Sequence, residues 1–382
     1  MTQTMTPTPM PKVTISGFKD AIYYGAILNN EALLGWGMPG IGKTEAPAQV
    51  VAELNLREIA VAAPAKAGQS ARITTKRPGA TLCDIRVSQY ESVDFRGMPE
   101  SENKMTVWNL PSTLPFIGNP NFNSDPDHII VLALDEFTHG SESTSAVCYQ
   151  LINERRVGEH VLMPNVFVIA MSNREGDKSI SRKMSKALGN RFIHVEVVVS
   201  VDEFCAHAQK VGMHPMGPMF LRFKPEYLST FMVPDGAGGM KVTDHINYAT
   251  PRTWQKALKV YADTRVPKET KIVLMSGAIG VGLCAEFWAF EQAYDQLSKI
   301  IPAVMKNPKT APIPDARDVL MAVTVALSGN MTEKNADTIH TYYKRIDKEY
   351  LMLGWIIAQK RDPLVRRSDA WLDFSKNYSQ SV

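Results

Sequence analysis

A glycine-rich segment of eight residues lies between a short apolar run, Ala32 to Gly35, and a helical pattern. It fits the pattern GxxxxGK[ST], in which glycines let backbone N–H groups turn inward toward phosphate oxygens and the following helix N-terminus adds partial positive charge. The lysine of such a loop reaches the β- and γ-phosphates, and the hydroxyl ligates Mg²⁺. The segment comprises Gly37, Met38, Pro39, Gly40, Ile41, Gly42, Lys43 and Thr44. We therefore expect a nucleotide-binding loop with Lys43 as a catalytic group and Thr44 as a metal ligand, rather than a chance turn.

Two acids follow a second apolar run, His128 to Leu134. A buried strand that ends in Asp135 and Glu136 delivers both side chains at the carboxyl end of a parallel sheet, where α/β proteins bind ligands. We expect Asp135 to hold Mg²⁺ through water and Glu136 to polarise an attacking water. Because adjacent strand residues point to opposite faces, the two acids must straddle the strand end. The alternative is a solvated strand terminus.

A third apolar run, Val166 to Met171, is followed by Ser172 and Asn173. If this strand lies between the two strands above, the Asn173 amide can hydrogen-bond both a γ-phosphate and the attacking water. The alternative is an ordinary asparagine in a turn.

Two arginines complete the set of candidate groups. Arg191 precedes a further apolar run, Phe192 to Val199, and a guanidinium there could reach the γ-phosphate held by a neighbouring subunit. The alternative is a surface ion pair. Arg252 lies beside Pro251, which is typical of a first helical turn, and it could also meet phosphate. The residues alone do not decide between these readings of Arg252.

The pattern of strands and helices predicts the organisation of the chain. Apolar runs alternate with helical patterns up to about residue 199, which favours a mostly parallel sheet covered on both faces. Two less certain strands are Ile59 to Ala62 and Leu82 to Val87. We expect a disordered tail at 1–14, a nucleotide-binding core at 15–199 and a helical domain at 200–382. Helices are predicted at Trp254–Thr264, Lys271–Ile279, Ala285–Ile301, Asp318–Leu327 and Thr338–Lys360.

Composition is that of an ordinary globular protein. The chain has 382 residues, of which 45% are hydrophobic and 21% charged. Its net charge of +3 excludes a strongly acidic or strongly basic protein overall. Its four cysteines are far apart and lack CxxC spacing, which disfavours a disulfide framework or a structural zinc site. Without a signal-peptide pattern at the N-terminus, we expect a cytoplasmic protein.

Two further segments bear on possible partners. The longest apolar stretch, Ile272 to Phe290, contains Glu286, so we interpret it as a buried helix pair rather than a membrane span. The segment Ala63 to Leu82 contains four basic residues and no acid. A solvated loop is the preferred interpretation of this insert over a contact with nucleic acid or a partner.

The order of these motifs resembles that of the AAA+ ATPases, specifically the MoxR-like and dynein-related branch of bacteria and their phages. The resemblance is carried by the phosphate loop, the Asp-Glu and Asn strands, Asn190-Arg191-Phe192 and Pro251-Arg252-Thr253-Trp254. Phrases at 84–89, 93–99, 172–177 and 277–282 fit the same branch, and the resemblance covers about residues 15–325.

The resemblance implies an α/β P-loop AAA+ core with a parallel five-stranded sheet of order 5-1-4-3-2, and a C-terminal helical lid domain. It implies a hexameric ring with ATP and Mg²⁺ at subunit interfaces. Arg191 then matches the arginine finger and Arg252 the sensor-2 arginine, which acts within its own subunit or on its neighbour. The stretches 97–127 and 155–165 match an insert and a hairpin that face the central pore.

We therefore expect an ATP-hydrolysing ring that remodels or activates a protein client. The resemblance also implies a partner with a von Willebrand factor A domain. One alternative is a nucleic-acid motor, which the near-neutral charge disfavours. Another is a nucleotide-gated scaffold with little turnover, which Glu136 and Arg191 disfavour. A monomeric P-loop kinase or GTPase is disfavoured because no NKxD motif occurs.

Overall fold

The computed structural model describes residues 10–56, 59–62, 73–76, 79–174, 184, 186–235 and 239–378. The chain divides into two compact units, Met1–Gly280 and Val281–Val382. The predicted boundary between residues 199 and 200 lies inside the first unit, just after the last strand of the main sheet, and it stays a prediction.

The strands of the described residues occur in the first unit. They are β1 (Lys12–Val13), β2 (Leu33–Trp36), β3 (Ile59–Ala62), β4 (Ile73–Lys76), β5 (Ala80–Arg86), β6 (Pro99–Glu102), β7 (Met105–Trp108), β8 (Ile129–Asp135), β9 (Arg156–Val157), β10 (His160–Val161), β11 (Val166–Ser172), β12 (Ile193–Val197), β13 (Met232–Pro234) and β14 (Met240–Val242).

The α-helices of the described residues occur in both units. They are α1 (Ile15–Asp20), α2 (Glu45–Leu56), α3 (Ser92–Arg96), α4 (Glu142–Glu154), α5 (Lys186–Gly189), α6 (Val201–Lys210), α7 (Met216–Phe223), α8 (Pro251–Ala262), α9 (Lys268–Ile279), α10 (Val281–Lys306), α11 (Arg317–Gly329), α12 (Ala336–Tyr343), α13 (Lys348–Arg361) and α14 (Asp369–Tyr378). A π-helix, Ala21–Leu28, continues α1.

The main sheet has six parallel strands in the order β1-β12-β2-β11-β8-β5. When the strands other than β1 are numbered along the chain, they follow the predicted order 5-1-4-3-2, so the α/β P-loop fold is confirmed. The sheet differs from the prediction by one edge strand. Lys12 and Val13, which the sequence analysis assigns to a disordered tail, pair with Glu196 and Val197.

Each central strand is buried on both faces, as expected for a parallel sheet between helices. Along β8, Ile130, Leu132 and Leu134 pack into one hydrophobic core. The residues between them, Val131 and Ala133, pack into a second core on the opposite face, together with α2. Because alternate side chains of β8 are packed into cores on both faces, the end of the strand is held in place at the carboxyl edge of the sheet.

Four antiparallel hairpins accompany the sheet: β3–β4, β6–β7, β9–β10 and β13–β14. The predicted strand Ile59 to Ala62 does form, but it pairs with β4 and not with the main sheet, so Leu82 to Val87 corresponds to the second sheet strand. Within the insert at 63–82, residues 63–72 and 77–78 lie outside the described residues, as do residues 1–9 of the predicted tail.

Two predictions for the helical region are corrected. The single helix expected from Thr338 to Lys360 is two helices, α12 and α13, separated by residues 344–347. The stretch Ile272 to Phe290 does form two helices, but the first is not buried along its length, since Ile272, Val273 and Leu274 are exposed. Among the described helices, none is long and apolar enough to cross a membrane.

The second unit has its own core, formed by α10 to α14, with a buried histidine within it. The indole N–H of Trp355 donates to His340 Nδ1 at 3.0 Å, and His340 Nε2 donates to Asp373 at 2.9 Å. Because Nδ1 accepts a hydrogen bond, a second proton on the ring would break the contact with Trp355. Burial lowers the pKa of His340, against an opposing effect of Asp373. Lys344, which bonds Asp373 at 2.5 Å, also lowers it.

We expect the second unit to lose stability as the pH falls through the unfolded-state pKa of His340. Its pKa is lowered in the folded state, so the unfolded chain binds the extra proton first. Each unit of lowering costs roughly 1.4 kcal/mol of unfolding free energy once both states are titrated. Urea unfolding between about pH 7.5 and about pH 5.5 measures this. His340→Gln, which keeps a donor and an acceptor but does not titrate, should show a smaller loss; an equal loss would contradict the assignment.

Candidate nucleotide site

The glycine-rich loop joins β2 to α2 on the carboxyl edge of the sheet. Gly40 and Gly42 have φ angles of 75° and 103°, in the left-handed region where glycine is strongly favoured, so the loop can curl back on itself. Lys43 comes directly after Gly42 and is only 7% exposed. Its Nζ donates to the carbonyl oxygens of Gly37 at 2.7 Å and Met38 at 2.8 Å. The ammonium group therefore lies inside the loop.

Thr44 and Asp135 meet across the base of the loop. The Thr44 hydroxyl donates to Asp135 Oδ2 at 2.9 Å, and the other carboxylate oxygen accepts the Glu136 backbone N–H at 2.9 Å. Asp135 is the last residue of β8 and is buried. A hydroxyl and a carboxylate are hard oxygen donors, which Mg²⁺ prefers, and one or two protein ligands are its usual number. These two residues fit a magnesium site.

Glu136 leaves the strand through an unusual backbone conformation. Its φ and ψ are 52° and 38°, in the left-handed region that non-glycine residues rarely adopt. The turn directs its carboxylate toward Ser88, whose hydroxyl donates to Glu136 Oε2. The two acids thus separate at the strand end, with Asp135 held by Thr44 and Glu136 held by Ser88.

Asn173 lies directly after β11, which runs between β2 and β8. Its Oδ1 accepts a hydrogen bond from Lys43 Nζ at 3.2 Å. The preceding residue, Ser172, accepts the Gly37 N–H through its carbonyl oxygen at 3.2 Å. The strand order therefore brings the amide next to the loop lysine, although the two residues are far apart in sequence.

These groups line one cleft of about 200 Å³. Its lining comprises Pro39, Gly40, Ile41, Gly42, Lys43, Thr44, Arg86, Asp135, Glu136, Ser172, Asn173 and Arg252. Arg252 reaches it because α8 begins at the tip of the loop, where the Arg252 N–H donates to Gly40 O at 3.1 Å.

Three predicted site residues do not line this cleft: Gly37 and Met38, which instead bond Lys43 through their carbonyl oxygens, and Arg191. Arg191 is exposed in the turn between α5 and β12. Among the described residues, no hydrogen bond or ion pair engages its guanidinium. No described residue of its own subunit therefore accounts for this charge.

A second pocket of about 310 Å³ shares Gly40, Ile41, Gly42 and Arg252 with this cleft. Apolar and polar side chains from α1, α6 and α8 surround it. They include Ile15, Ile41, Val199, Phe204, His207 and Gln255.

Sequence reasoning missed Ser88 and Arg86 as members of the site. Their signals were their place at the end of a predicted strand and the phrase at 84–89 that fits the resemblance, and neither assigns them to the site. Their proximity to Glu136 and Asp135 depends on β5 pairing with β8, in a register that puts Arg86 opposite Asp135.

Comparisons with known proteins give structural likenesses only. No protein-family model matches the chain. No curated protein matches it either. Among solved structures, an ATPase candidate from Cytophaga hutchinsonii is 12% identical, with a TM-score of 0.31; the match covers 52% of this chain and 49% of that one, about half its length.

Two other solved structures show similar likenesses. The RuvB Holliday junction branch migration motor of Thermotoga maritima is 12% identical over 75% of this chain and 74% of its own, with a TM-score of 0.34. NtrX from Brucella abortus is 11% identical over 76% of this chain and 62% of its own, with a TM-score of 0.35. At TM-scores this low, the likenesses support no conclusion about function.

Proposed function

We propose that this protein is a Mg²⁺-dependent ATP hydrolase of the AAA+ class. The observation that carries the proposal is the convergence of Lys43, the Thr44–Asp135 pair, Glu136 and Asn173 on a single cleft. Each of these types supplies one requirement of phosphoryl transfer: a cation, a metal site, a carboxylate that polarises water, and an amide that positions it.

Each of these residues has a separate role in hydrolysis. Lys43 neutralises charge on the β- and γ-phosphates, with the backbone N–H groups of the loop around them. Ser88 holds one oxygen of Glu136, so the other oxygen can accept a proton from the attacking water. Asn173 orients that water against the γ-phosphate. Mg²⁺, when bound by Thr44 and Asp135, supplies further positive charge to the phosphate oxygens.

The second pocket, of about 310 Å³, suits the nucleoside. Ile15 and Phe204 offer apolar surface for a purine ring, and His207 and Gln255 offer polar groups for its edge. Because this pocket and the catalytic cleft share Gly40, Ile41 and Gly42, a nucleotide can place its base in the one and its γ-phosphate in the other.

The position of Arg191 supports an oligomeric ring. Its guanidinium is exposed and lies outside its own cleft, so it can act in hydrolysis only at the site of another copy. We infer a ring, hexameric as in the AAA+ class, in which Arg191 completes the neighbouring active site. Arg252, which lines its own cleft, is proposed to bind phosphate there.

The finer proposal is a MoxR-like ring that remodels a protein client. One hydrogen bond joins the β6–β7 and β9–β10 hairpins: the backbone N–H of Trp108 donates to Glu159 Oε1 at 3.0 Å. The guanidinium of Arg96, at the end of α3, lies 4.3 Å above the Trp108 ring. His160 Nε2 also contacts the Arg96 carbonyl at 3.2 Å. Arg96 ends the short helix that follows the turn of Ser88. These contacts connect the turn at Ser88, which bonds Glu136, to both hairpins. They support the proposal that a change at Glu136 during hydrolysis moves the hairpins.

The exposed side chains of the β6–β7 hairpin favour a protein over a nucleic acid. Glu100 and Glu102 are exposed on β6, where their charges repel phosphates. Met98 and Met105 are 65% and 67% exposed, and flexible apolar side chains of this kind adapt to varied protein surfaces. A protein segment with apolar and basic side chains matches this surface.

The release of phosphate from ATP and Mg²⁺ tests the proposed function. We expect turnover by the wild type and at most trace turnover by Lys43→Ala. Lys306→Ala, which removes an exposed lysine of α10, serves as the matched control. A wild type as slow as Lys43→Ala would leave only the scaffold alternative. DNA binding with a steep salt dependence would favour a nucleic-acid motor over a protein client.

A further inference from the structure

Arg86 occupies a position in the cleft to which the proposed chemistry gives no role. It is the last residue of β5, in register with Asp135 on the neighbouring parallel strand. Residues in register on adjacent strands project to the same face of a sheet. Arg86 therefore projects beside Asp135, toward the face on which the loop and α2 lie.

The packing along β5 confirms which face this is. Ala80 and Leu82 pack into the same hydrophobic core as Val131 and Ala133 of β8, and α2 contributes to that core. Arg86 continues this row past the end of the core, where it joins the lining of the catalytic cleft. The exposed side chain of Arg86 thus lies at the end of this row, where the face reaches the site.

The charge of Arg86 acts on Asp84: burial and Asp135 raise the pKa of that carboxyl, and Arg86 lowers it. Among the described residues, no hydrogen bond or ion pair engages its guanidinium, although acids lie close by along the sheet, at Asp84 on the same face of β5 and Asp135 opposite. A side chain serving only to neutralise these acids would be expected to bond one of them. An unbonded guanidinium keeps its planar donors for a ligand, and phosphate is the anion that fits their fork geometry.

We propose that Arg86 binds the γ-phosphate of ATP within its own subunit, as a further catalytic residue. The inference rests on the proposed ATP hydrolysis at this cleft. Arg86 adds positive charge from the β5 side, opposite to Arg252 on the loop side. It thereby allows the site to distinguish ATP from ADP, which lacks the group that Arg86 contacts.

Nucleotide binding tests this proposal directly. Affinities for ATP and for ADP, each with Mg²⁺, are measured in a Glu136→Gln parent so that ATP is not consumed. Arg86→Gln should weaken ATP binding about tenfold and leave ADP binding within about twofold, since it removes one charge-assisted contact. Arg86→Lys should retain part of the ATP affinity, and Arg317→Gln, at an exposed arginine of α11, should change neither.

The outcomes separate the two proposals. If the parent binds neither nucleotide, the proposed function itself fails. If the parent binds ATP and Arg86→Gln lowers ATP and ADP affinity equally, or lowers neither, only the role of Arg86 is overturned. Intact ADP binding also shows that the variant is folded.

Subunit mixing tests whether Arg86 acts in its own subunit. At ATP concentrations below saturation, where weaker binding slows turnover by Arg86→Gln chains, mixing them with Lys43→Ala chains should not raise hydrolysis, because the sites that bind ATP still lack Arg86. Recovery of turnover in the mixture would overturn the assignment and make Arg86 a group donated to a neighbour.

Discussion

Replacing Glu136 by glutamine is expected to lower phosphate release by about 10²- to 10⁴-fold, the range of a general base, while ATP binding persists. The amide keeps the size of the side chain and its contact with Ser88, but it cannot accept the proton of the attacking water. Glutamine, like glutamate, is not branched at Cβ, so it is compatible with the left-handed backbone at this position. The loss should therefore appear in kcat and not in the affinity for nucleotide.

The matched control for this substitution is Glu142→Gln. Glu142 lies six positions further along, exposed in the first turn of α4. It should leave turnover unchanged. Phosphate release by Glu136→Gln at the wild-type rate would remove Glu136 from the mechanism. A loss of ATP binding as large as the loss of turnover would show instead that Glu136 contributes to binding.

Replacing Arg191 by alanine is expected to reduce ATP turnover by up to about 10³- to 10⁵-fold, the range measured for arginines supplied to phosphoryl transfer from a neighbour. The thermal stability should hardly change, because the side chain is exposed and bonds no described residue. ATP binding should persist, because the cleft of the same chain does not include Arg191. Arg367→Ala, at an exposed arginine of the second unit, should preserve turnover.

Mixing variants shows whether Arg191 acts on a neighbour. Arg191→Ala chains have a complete cleft and no finger, whereas Lys43→Ala chains have a finger and a defective cleft. Each alone should be inactive, and a mixture should regain part of the turnover where a complete cleft meets an intact Arg191. No recovery, together with a monomer by size measurement with and without ATP, would overturn the ring.

The fold was predictable from the sequence wherever the signal was local. Apolar runs predicted β2, β8, β11 and β12, because a strand buried on both faces needs continuous apolar residues. The glycine-rich loop was predictable for a similar reason: the conformations of Gly40 and Gly42 depend on residue type at those positions. The strand order came from the resemblance, and the structure confirms it.

Other features escaped prediction because local patterns do not encode them. The strand Lys12–Val13 is too short to give an alternation, and it exists because the edge of β12 offers hydrogen bonds. The break between α12 and α13 interrupts a continuous helical pattern, so helical periodicity did not reveal it. The exposure of Ile272 on α9 likewise depends on which face the neighbouring helix covers.

The sequence by itself determined the chemical types available to this protein: a phosphate loop, two acids after one strand, an amide after another, and two arginines. Only the tertiary structure decided which of them meet. The pairing of β11 between β2 and β8 puts Asn173 at Lys43, and the left-handed turn at Glu136 puts its carboxylate at Ser88. The register of β5 adds Arg86 to the cleft. Such contacts arise from strand pairing between distant segments, which residue spacing along the chain does not specify.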